Sequence, residues 1–174
     1  MTNRYHLKSP VDVITTSLFI PQEYQQECIQ EAYRLGDSME QKTNVKALMS
    51  TYSVWEETDK FNLLLDKIKE ITNLVHPIQD TRFEYRLDSA WSAIYKKGHY
   101  TQPHNHTPAQ LAWVYYLKAD RKSPLIFDDC NFKINPTNDM LVLFPGYLTH
   151  SVPQHKENTD RICLAGNFYL PLTS

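Results

Sequence analysis

The 174-residue sequence has little of what defines several protein classes. It has four glycines and three cysteines, and no CxxC pair, so neither a disulfide framework nor a cysteine-rich zinc knot is expected. No run of about 18 apolar residues indicates a membrane span, and the N-terminus lacks the apolar core of a signal peptide. The net charge of −2 gives no basic footprint for nucleic acid. We therefore expect a cytoplasmic protein that binds neither a membrane nor nucleic acid.

Two helical patterns occupy the first part of the chain. After a β-branched segment over residues 11–20, Pro21 opens a segment in which apolar residues recur at helical spacing until Gly36. Residues 59–74 repeat that spacing before Pro77 ends it. We predict a helix in each of these two segments, whereas residues 37–57 are polar and ambiguous.

After Pro77 the sequence changes to strand-like segments, which cover residues 83–95, 111–117, 124–127, 140–144 and 161–170. The first is expected to break near Asp88-Ser89. The run LAWVYYL is apolar throughout, as in a strand covered on both faces. Helices followed by many strands predict an α+β, mainly β fold, a β-sandwich or jelly roll buttressed by N-terminal helices. We expect one domain over residues 1–174, with helical support to about residue 80 and the jelly-roll core over about 81–172.

Three histidines and one arginine form the main candidate site. His104 and His106 are two residues apart, so in an extended strand their side chains share a face. His150 follows 44 residues after His106, and Arg161 follows 11 residues later. Imidazole binds zinc, iron, copper and nickel, and three ligands leave the open positions that a catalytic metal needs. The pattern predicts a mononuclear metal site, with Arg161 holding an anionic co-substrate through its two-pronged guanidinium.

Three segments carry a family resemblance: AIYKKGHYTQPHNHTPAQLAWVYYL, LVLFPGYLTHSVP and DRICLAGNFY. Together they resemble the 2-oxoglutarate- and Fe(II)-dependent oxygenases, and most of all small oxygenases of phages and bacteria related to the prolyl hydroxylases. The resemblance implies a double-stranded β-helix, a jelly roll with the metal at one mouth. It also implies a hydroxylase, intracellular in a phage host if phage-encoded, that uses Fe(II), O2 and 2-oxoglutarate and releases succinate and CO2.

The resemblance also assigns roles to the metal-binding histidines. His104 matches the first iron ligand and His150 the last, while His106 stands where most of these enzymes have aspartate. Three neutral histidines leave a divalent metal with a charge of +2 rather than +1, and they also resemble a hydrolytic zinc centre. Asp128 and Asp129 are candidates for an added ligand or for its support, although a solvated turn is the commoner role for such residues.

A second set of residues is matched to the co-substrate pocket. Arg161 matches the residue that pairs with the distal carboxylate of 2-oxoglutarate, and Tyr116, favoured over Tyr115, matches a partner of the same carboxylate. Tyr95 matches another residue that lines this pocket. Asn167 shares the Arg161 face of the last strand by alternation and is grouped with the pocket, where it either orients a bound molecule or holds a strand edge.

The histidine at position 106 keeps other functions open. One is a three-histidine metalloenzyme that does not use 2-oxoglutarate, either a zinc hydrolase or a cupin-like dioxygenase. Another is a non-enzymatic jelly-roll binding module. For a hydroxylase, the relation to prolyl hydroxylases favours a peptide, protein or amino-acid substrate. A homodimer through the helices is also open.

Overall fold

The computed structural model describes residues 11–39, 44–76, 78 and 83–171. Its helices are α1 (Gln22–Leu35), α2 (Val54–Glu57) and α3 (Asn62–Val75). Its strands are β1 (Ile14–Ser17), β2 (Val45–Lys46), β3 (Leu48–Met49), β4 (Arg86–Tyr95), β5 (Tyr100–His104), β6 (Leu111–Lys118), β7 (Leu125–Phe127), β8 (Phe132–Ile134), β9 (Met140–Pro145), β10 (His150–Val152) and β11 (Arg161–Tyr169). Across these described ranges, no helix is long and apolar enough to cross a membrane.

The strands form two antiparallel sheets. The large sheet has the order β1-β9-β6-β11-β4-β3, and the small sheet has the order β2-β5-β10-β7-β8. Helices α1 and α3 share an apolar core with one face of the large sheet. The prediction of a mainly β jelly roll supported by early helices is therefore confirmed.

Strand β6 shows how the two apolar layers are divided. Trp113 and Tyr115 point toward the helices, whereas Val114 and Tyr116 lie in the layer between the sheets. Alternate side chains of a strand point to opposite faces, so a strand buried on both faces is apolar throughout. This accounts for the LAWVYYL run. The layer between the sheets is also where the candidate site lies.

Both predicted helices form, and the residues at their ends explain where they stop. Pro21 precedes the first turn of α1, and Gly36, with φ of 58°, donates its N–H to the Ala32 carbonyl just after the last turn. A left-handed φ favours glycine because glycine has no Cβ. The helices bury one face each, formed by Cys28, Ile29 and Ala32 in α1 and by Leu64, Leu65 and Ile68 in α3.

The expected break at Asp88-Ser89 is wrong, because β4 is continuous through both residues. The register with β11 shifts there instead. Ser89 pairs with Asn167 and Leu87 pairs with Phe168, so Asp88 is an extra residue in the ladder. Such a β-bulge bends the strand and re-aims a side chain. The polar segment that the sequence left ambiguous contains β2, β3 and α2.

Candidate metal centre

Three histidine side chains converge at one end of the small sheet. His150, the first residue of β10, is the direct partner of His104, the last residue of β5. Their ring centroids are 4.4 Å apart, and the His106 ring centroid lies 5.0 Å from each. One ligand atom from each histidine lies within 4.8 Å of the others. The three predicted ligands are therefore brought together.

His106 joins this cluster from a loop and not from a strand, which the sequence did not predict. Strand β5 ends at His104, so His106 lies in the following loop, and the expected shared strand face is wrong. The His106 N–H donates to the Gly146 carbonyl at 2.7 Å, and the Ala109 N–H donates to the His106 carbonyl at 2.8 Å. A Cβ on Gly146 would overlap the Ala109 backbone. The close approach of two turns thus sets the position of His106.

Backbone carbonyls orient two of the three rings. His104 Nδ1 lies 2.9 Å from the Gln102 carbonyl oxygen, and His150 Nδ1 lies 3.1 Å from the Leu148 carbonyl oxygen. A carbonyl only accepts, so each Nδ1 carries the proton and each Nε2 keeps its lone pair. Metal-binding histidines are commonly oriented in this way by the second ring nitrogen.

Burial keeps the three imidazoles neutral. Desolvation, together with the other histidines, lowers the pKa of His106 to about 3 and that of His150 to about 4. Desolvation also lowers the pKa of His104 below its usual value. A metal ion binds the neutral form of imidazole, so this cluster need not lose protons to bind one near neutral pH.

The two acidic candidates support the cluster without joining it. The Thr149 N–H donates to Asp129 Oδ2 at 2.8 Å, and the Ser151 hydroxyl donates to Asp128 Oδ1 at 3.2 Å. Both aspartates lie in an exposed 3-10 turn and hold the residues on either side of His150. In the described part of the chain, the histidines are the single group of three or more side chains placed to share a metal.

Arg161 lies in the same apolar layer and is 1% exposed. Its guanidinium carbon lies 4.5 Å from the ring centroid of Tyr95 and 5.0 Å from that of Tyr116. Nη2 lies 3.4 Å from the Tyr116 hydroxyl, a long hydrogen bond, whereas Nε and Nη1 are buried without a partner among the described residues. A buried cation with unpaired N–H groups is costly unless an anion binds it.

The structure separates the two tyrosines that follow each other in β6. Tyr116 lies beside Arg161, and burial raises its pKa to about 12, so its hydroxyl keeps its proton. The Tyr115 hydroxyl instead donates to Asp139 Oδ1 at 2.7 Å in the helix-facing layer. Tyr95 lies beside Arg161, and its hydroxyl is 2.6 Å from Thr101 Oγ1. The predicted pair, Tyr95 and Tyr116, is thus the pair that contacts Arg161.

Two adjoining cavities meet at the histidines. The inner cavity is small, with a volume of about 40 Å³, and is lined by all three histidines together with Arg161 and Tyr95. The outer cavity has a volume of about 430 Å³ and is lined by His104, His106 and residues that include Asn167. Its size is within the usual range for small-molecule sites.

Asn167 lines the outer cavity, six residues from Arg161 along β11 and thus roughly 20 Å away along the strand. Its Nδ2 donates to Ser89 Oγ at 2.9 Å. The cavity lining and the bond to β4 are compatible with both roles predicted for Asn167. Asp88, Tyr52 and Trp91 also line this cavity. One sequence signal pointed to Asp88, because it is the one acidic residue in β4.

The chemistry of these residues fits a metal ion with a bound dicarboxylate. Three neutral imidazoles provide lone pairs at one end of the inner cavity, and Arg161 provides two unpaired nitrogens in the same cavity. Among the described residues near Arg161, no carboxylate occupies those nitrogens. A carboxylate oxygen is the acceptor that best matches a guanidinium.

No protein-family model and no curated protein matches the chain. Solved structures match it over most of its length. One is the viral collagen prolyl hydroxylase of Paramecium bursaria Chlorella virus 1, as its 2OG complex. It is 17% identical in sequence, and the structural alignment, with a TM-score of 0.70, covers 92% of this chain and 96% of the hydroxylase chain. A Trichoplax adhaerens prolyl hydroxylase in complex with a hypoxia-inducible-factor peptide fragment is 14% identical, with a TM-score of 0.68, over 90% and 83% of the two chains.

A third similar structure is not named as a prolyl hydroxylase. HygX of Streptomyces hygroscopicus, with nickel and 2-oxoglutarate bound, is 11% identical with a TM-score of 0.68 and covers 92% of this chain and 83% of its own. Identities this low establish the fold alone. The chain therefore has the double-stranded β-helix fold of the 2-oxoglutarate-dependent oxygenases.

Proposed function

We propose that this chain is an Fe(II)- and 2-oxoglutarate-dependent dioxygenase that hydroxylates a C–H bond of its substrate. The observation that carries the proposal is Arg161, a buried guanidinium with two unpaired nitrogens in a cavity that also holds three neutral imidazoles. A ligand that suits this cavity has a carboxylate at one end and a metal-chelating group at the other. 2-Oxoglutarate has both groups, and the shared fold supports the choice.

Each residue of the centre has a distinct task in this proposal. His104, His106 and His150 hold Fe(II), and Arg161 binds the distal carboxylate of 2-oxoglutarate, assisted by the Tyr116 hydroxyl. Tyr95 packs against the guanidinium and helps to exclude water. Bound iron and 2-oxoglutarate supply the oxidation by O2, with succinate and CO2 as co-products.

The substrate reaches the histidines through the outer cavity. That cavity borders His104 and His106 but not Arg161, so it leaves the inner cavity to the co-substrate. We favour a peptide, protein or amino-acid substrate, because two of the similar structures are prolyl hydroxylases and one of them holds a peptide fragment.

Among the residues that the structure describes, no carboxylate joins the histidine group, and this favours one second candidate. Three histidines with an open fourth position form a centre of the hydrolytic zinc type, in which the metal lowers the pKa of a bound water. In this alternative, a three-histidine metalloenzyme acts without 2-oxoglutarate and Arg161 binds a carboxylate of the substrate.

An anaerobic titration of the full chain with Fe(II) and 2-oxoglutarate distinguishes the two candidates. For the oxygenase, we expect a weak visible charge-transfer band that needs both additions and is lost in Arg161→Met. Arg121→Met, which removes an exposed arginine, is the matched control and should keep the band. If the native chain gives no band while it retains zinc tightly, the oxygenase proposal fails and the hydrolase takes its place.

A further inference from the structure

The outer cavity has a charge that the proposed chemistry at the metal does not use. Asp88 is the one carboxylate among the described residues that line the cavity, and none of those residues is a lysine or an arginine. No hydrogen bond or ion pair joins Asp88 to another described residue. A carboxylate in a concave site that lacks a counter-charge attracts a cation.

The β-bulge explains how Asp88 comes to line this cavity. Successive side chains in a regular strand point to opposite faces, yet Asp88 and Ser89 are consecutive and line the same cavity. The ladder between β4 and β11 has its extra residue at Asp88, between the Ser89–Asn167 and Leu87–Phe168 pairs. Aspartate is disfavoured within strands, so its placement at the bulge indicates a role for the carboxylate rather than for strand stability.

Two aromatic rings line the cavity together with Asp88. Tyr52 and Trp91 pack edge to face, with ring centroids 5.1 Å apart and an interplanar angle of 90°. The Ala90 N–H donates to the Tyr52 carbonyl at 2.8 Å, which ties the Tyr52 backbone to β4 beside Trp91. Aromatic rings at right angles beside a carboxylate favour an ammonium or guanidinium group through cation–π attraction.

Asn167 adds a second acceptor. Its Nδ2 donates to Ser89 Oγ, and its Oδ1 is buried with no partner among the described residues. A buried acceptor of this kind is stabilised by a ligand that brings an N–H donor. A ligand with N–H donors would therefore satisfy both the Asp88 carboxylate and Asn167 Oδ1. A positively charged donor group would also neutralise the carboxylate.

We propose that the outer cavity binds an organic cation of the substrate, an ammonium or guanidinium group, with Asp88 as its counter-ion and Tyr52 and Trp91 as its aromatic walls. That this cation belongs to a substrate rests on the proposed function. Asp88 is the one acidic side chain, and no lysine or arginine stands beside it, among the described residues that line the outer cavity, so a cationic group there would have Asp88 as its counter-charge.

The test measures binding of three probes to the full chain as purified, without added metal or 2-oxoglutarate. The probes are Nα-acetyl-lysine amide, Nα-acetyl-arginine amide and the uncharged Nα-acetyl-norleucine amide, each titrated by NMR. We expect at least one cationic probe to bind about tenfold more tightly than the norleucine probe, and Asp88→Asn to remove that preference. Asp66→Asn, on the exposed side of α3, makes the same change in net charge and should keep the preference.

The proposal is overturned if the norleucine probe binds as tightly as the cationic probes, if no probe binds, or if Asp88→Asn and Asp66→Asn behave alike. Should Asp88→Asn fail to fold, Tyr52→Leu takes its place, because Tyr52 is 45% exposed and its loss leaves the core intact. That variant should also lose most of the preference for the cation. Since no metal is added, the result is independent of whether the chain proves to be a 2-oxoglutarate enzyme.

Discussion

His104 and His150 are direct partners in the ladder between β5 and β10, and their rings lie 4.4 Å apart. Strand pairing, rather than loop conformation, therefore fixes two of the three candidate ligands. The third, His106, depends on a contact between two turns. This difference in support leads to different expectations for substitutions around the centre.

Replacing His106 should abolish metal binding without unfolding the chain. In His106→Ala we expect stoichiometric binding of divalent metal to be lost, because two imidazoles remain where three converge. The measurement is metal content by elemental analysis after dialysis against a limited metal supply. His99→Ala is the matched control, since His99 lies outside the three-histidine group. Equal metal content in the two variants would contradict the assignment.

The carboxylate of Asp129 should matter for metal affinity although it is not placed as a ligand. Its bond to the Thr149 N–H holds the backbone beside His150. We expect Asp129→Ala, which removes this acceptor, to weaken metal binding by about tenfold, the lower end of what residues supporting a ligand contribute. A competition titration with a coloured chelator measures this change. Asp66→Ala serves as the control, and a tenfold loss there as well would point to net charge as the cause.

Arg161 should reduce the stability of the ligand-free protein. Its buried guanidinium has two nitrogens without a partner, so an apolar side chain of similar length removes an unfavourable burial. We expect Arg161→Met to raise the Tm of the ligand-free chain by about 5 °C. Thermal unfolding followed by circular dichroism measures it. A clear fall in Tm would mean that packing against Tyr95 and Tyr116 outweighs the cost of the buried charge.

Alanine substitutions at two glycines separate the cost of a steric clash from the cost of a strained backbone conformation. Gly146→Ala places a Cβ against the Ala109 backbone, so we expect a loss of more than about 2 kcal/mol in the free energy of unfolding, together with weaker metal binding through His106. In Gly36→Ala the Cβ would make only an ordinary contact, 3.6 Å from the Tyr33 carbonyl oxygen, but φ is positive, so a loss of about 1 kcal/mol is expected there. Urea denaturation measures both. Similar losses would show that the turn contact near His106 is not restrictive.

The three cysteines should differ in reactivity. Cys130 is exposed, whereas Cys28 and Cys163 are buried. Burial raises the pKa of Cys28 to about 11 and also raises the pKa of Cys163, so their reactive thiolate forms are scarce at pH 8. We expect iodoacetamide at that pH to label one cysteine rapidly in the native chain and three in denaturant. Mass spectrometry identifies the sites, and rapid native labelling of Cys28 would contradict the described burial.

The features that follow local rules were predictable from the sequence. Apolar spacing located α1 and α3, and alternation along β11 placed Arg161, Cys163 and Ala165 on the face between the sheets. The choice of Tyr116 over Tyr115 followed from family likeness, and the same alternation along β6 accounts for it. Each of these patterns depends on residues within a few positions of one another.

The features that were not predictable depend on contacts between distant segments. His106 is positioned by Gly146, 40 residues later, and the Asp88 bulge arises from pairing with Asn167 and Phe168, almost 80 residues later. Neither contact leaves a periodic trace. An aspartate within a strand can be interpreted as a break or as a bulge until the partner strand is known.

The candidate site is divided between the two sheets, since His104 and His150 belong to the small sheet and Arg161 belongs to the large one. A ligand that reaches from the histidines to the guanidinium therefore links the two sheets, which are otherwise held together by side-chain packing. Loading the centre should slow amide exchange in β10 and β11 together, although no hydrogen bond connects those strands. The jelly roll would then be stiffer as a whole when its small-molecule partner is in place.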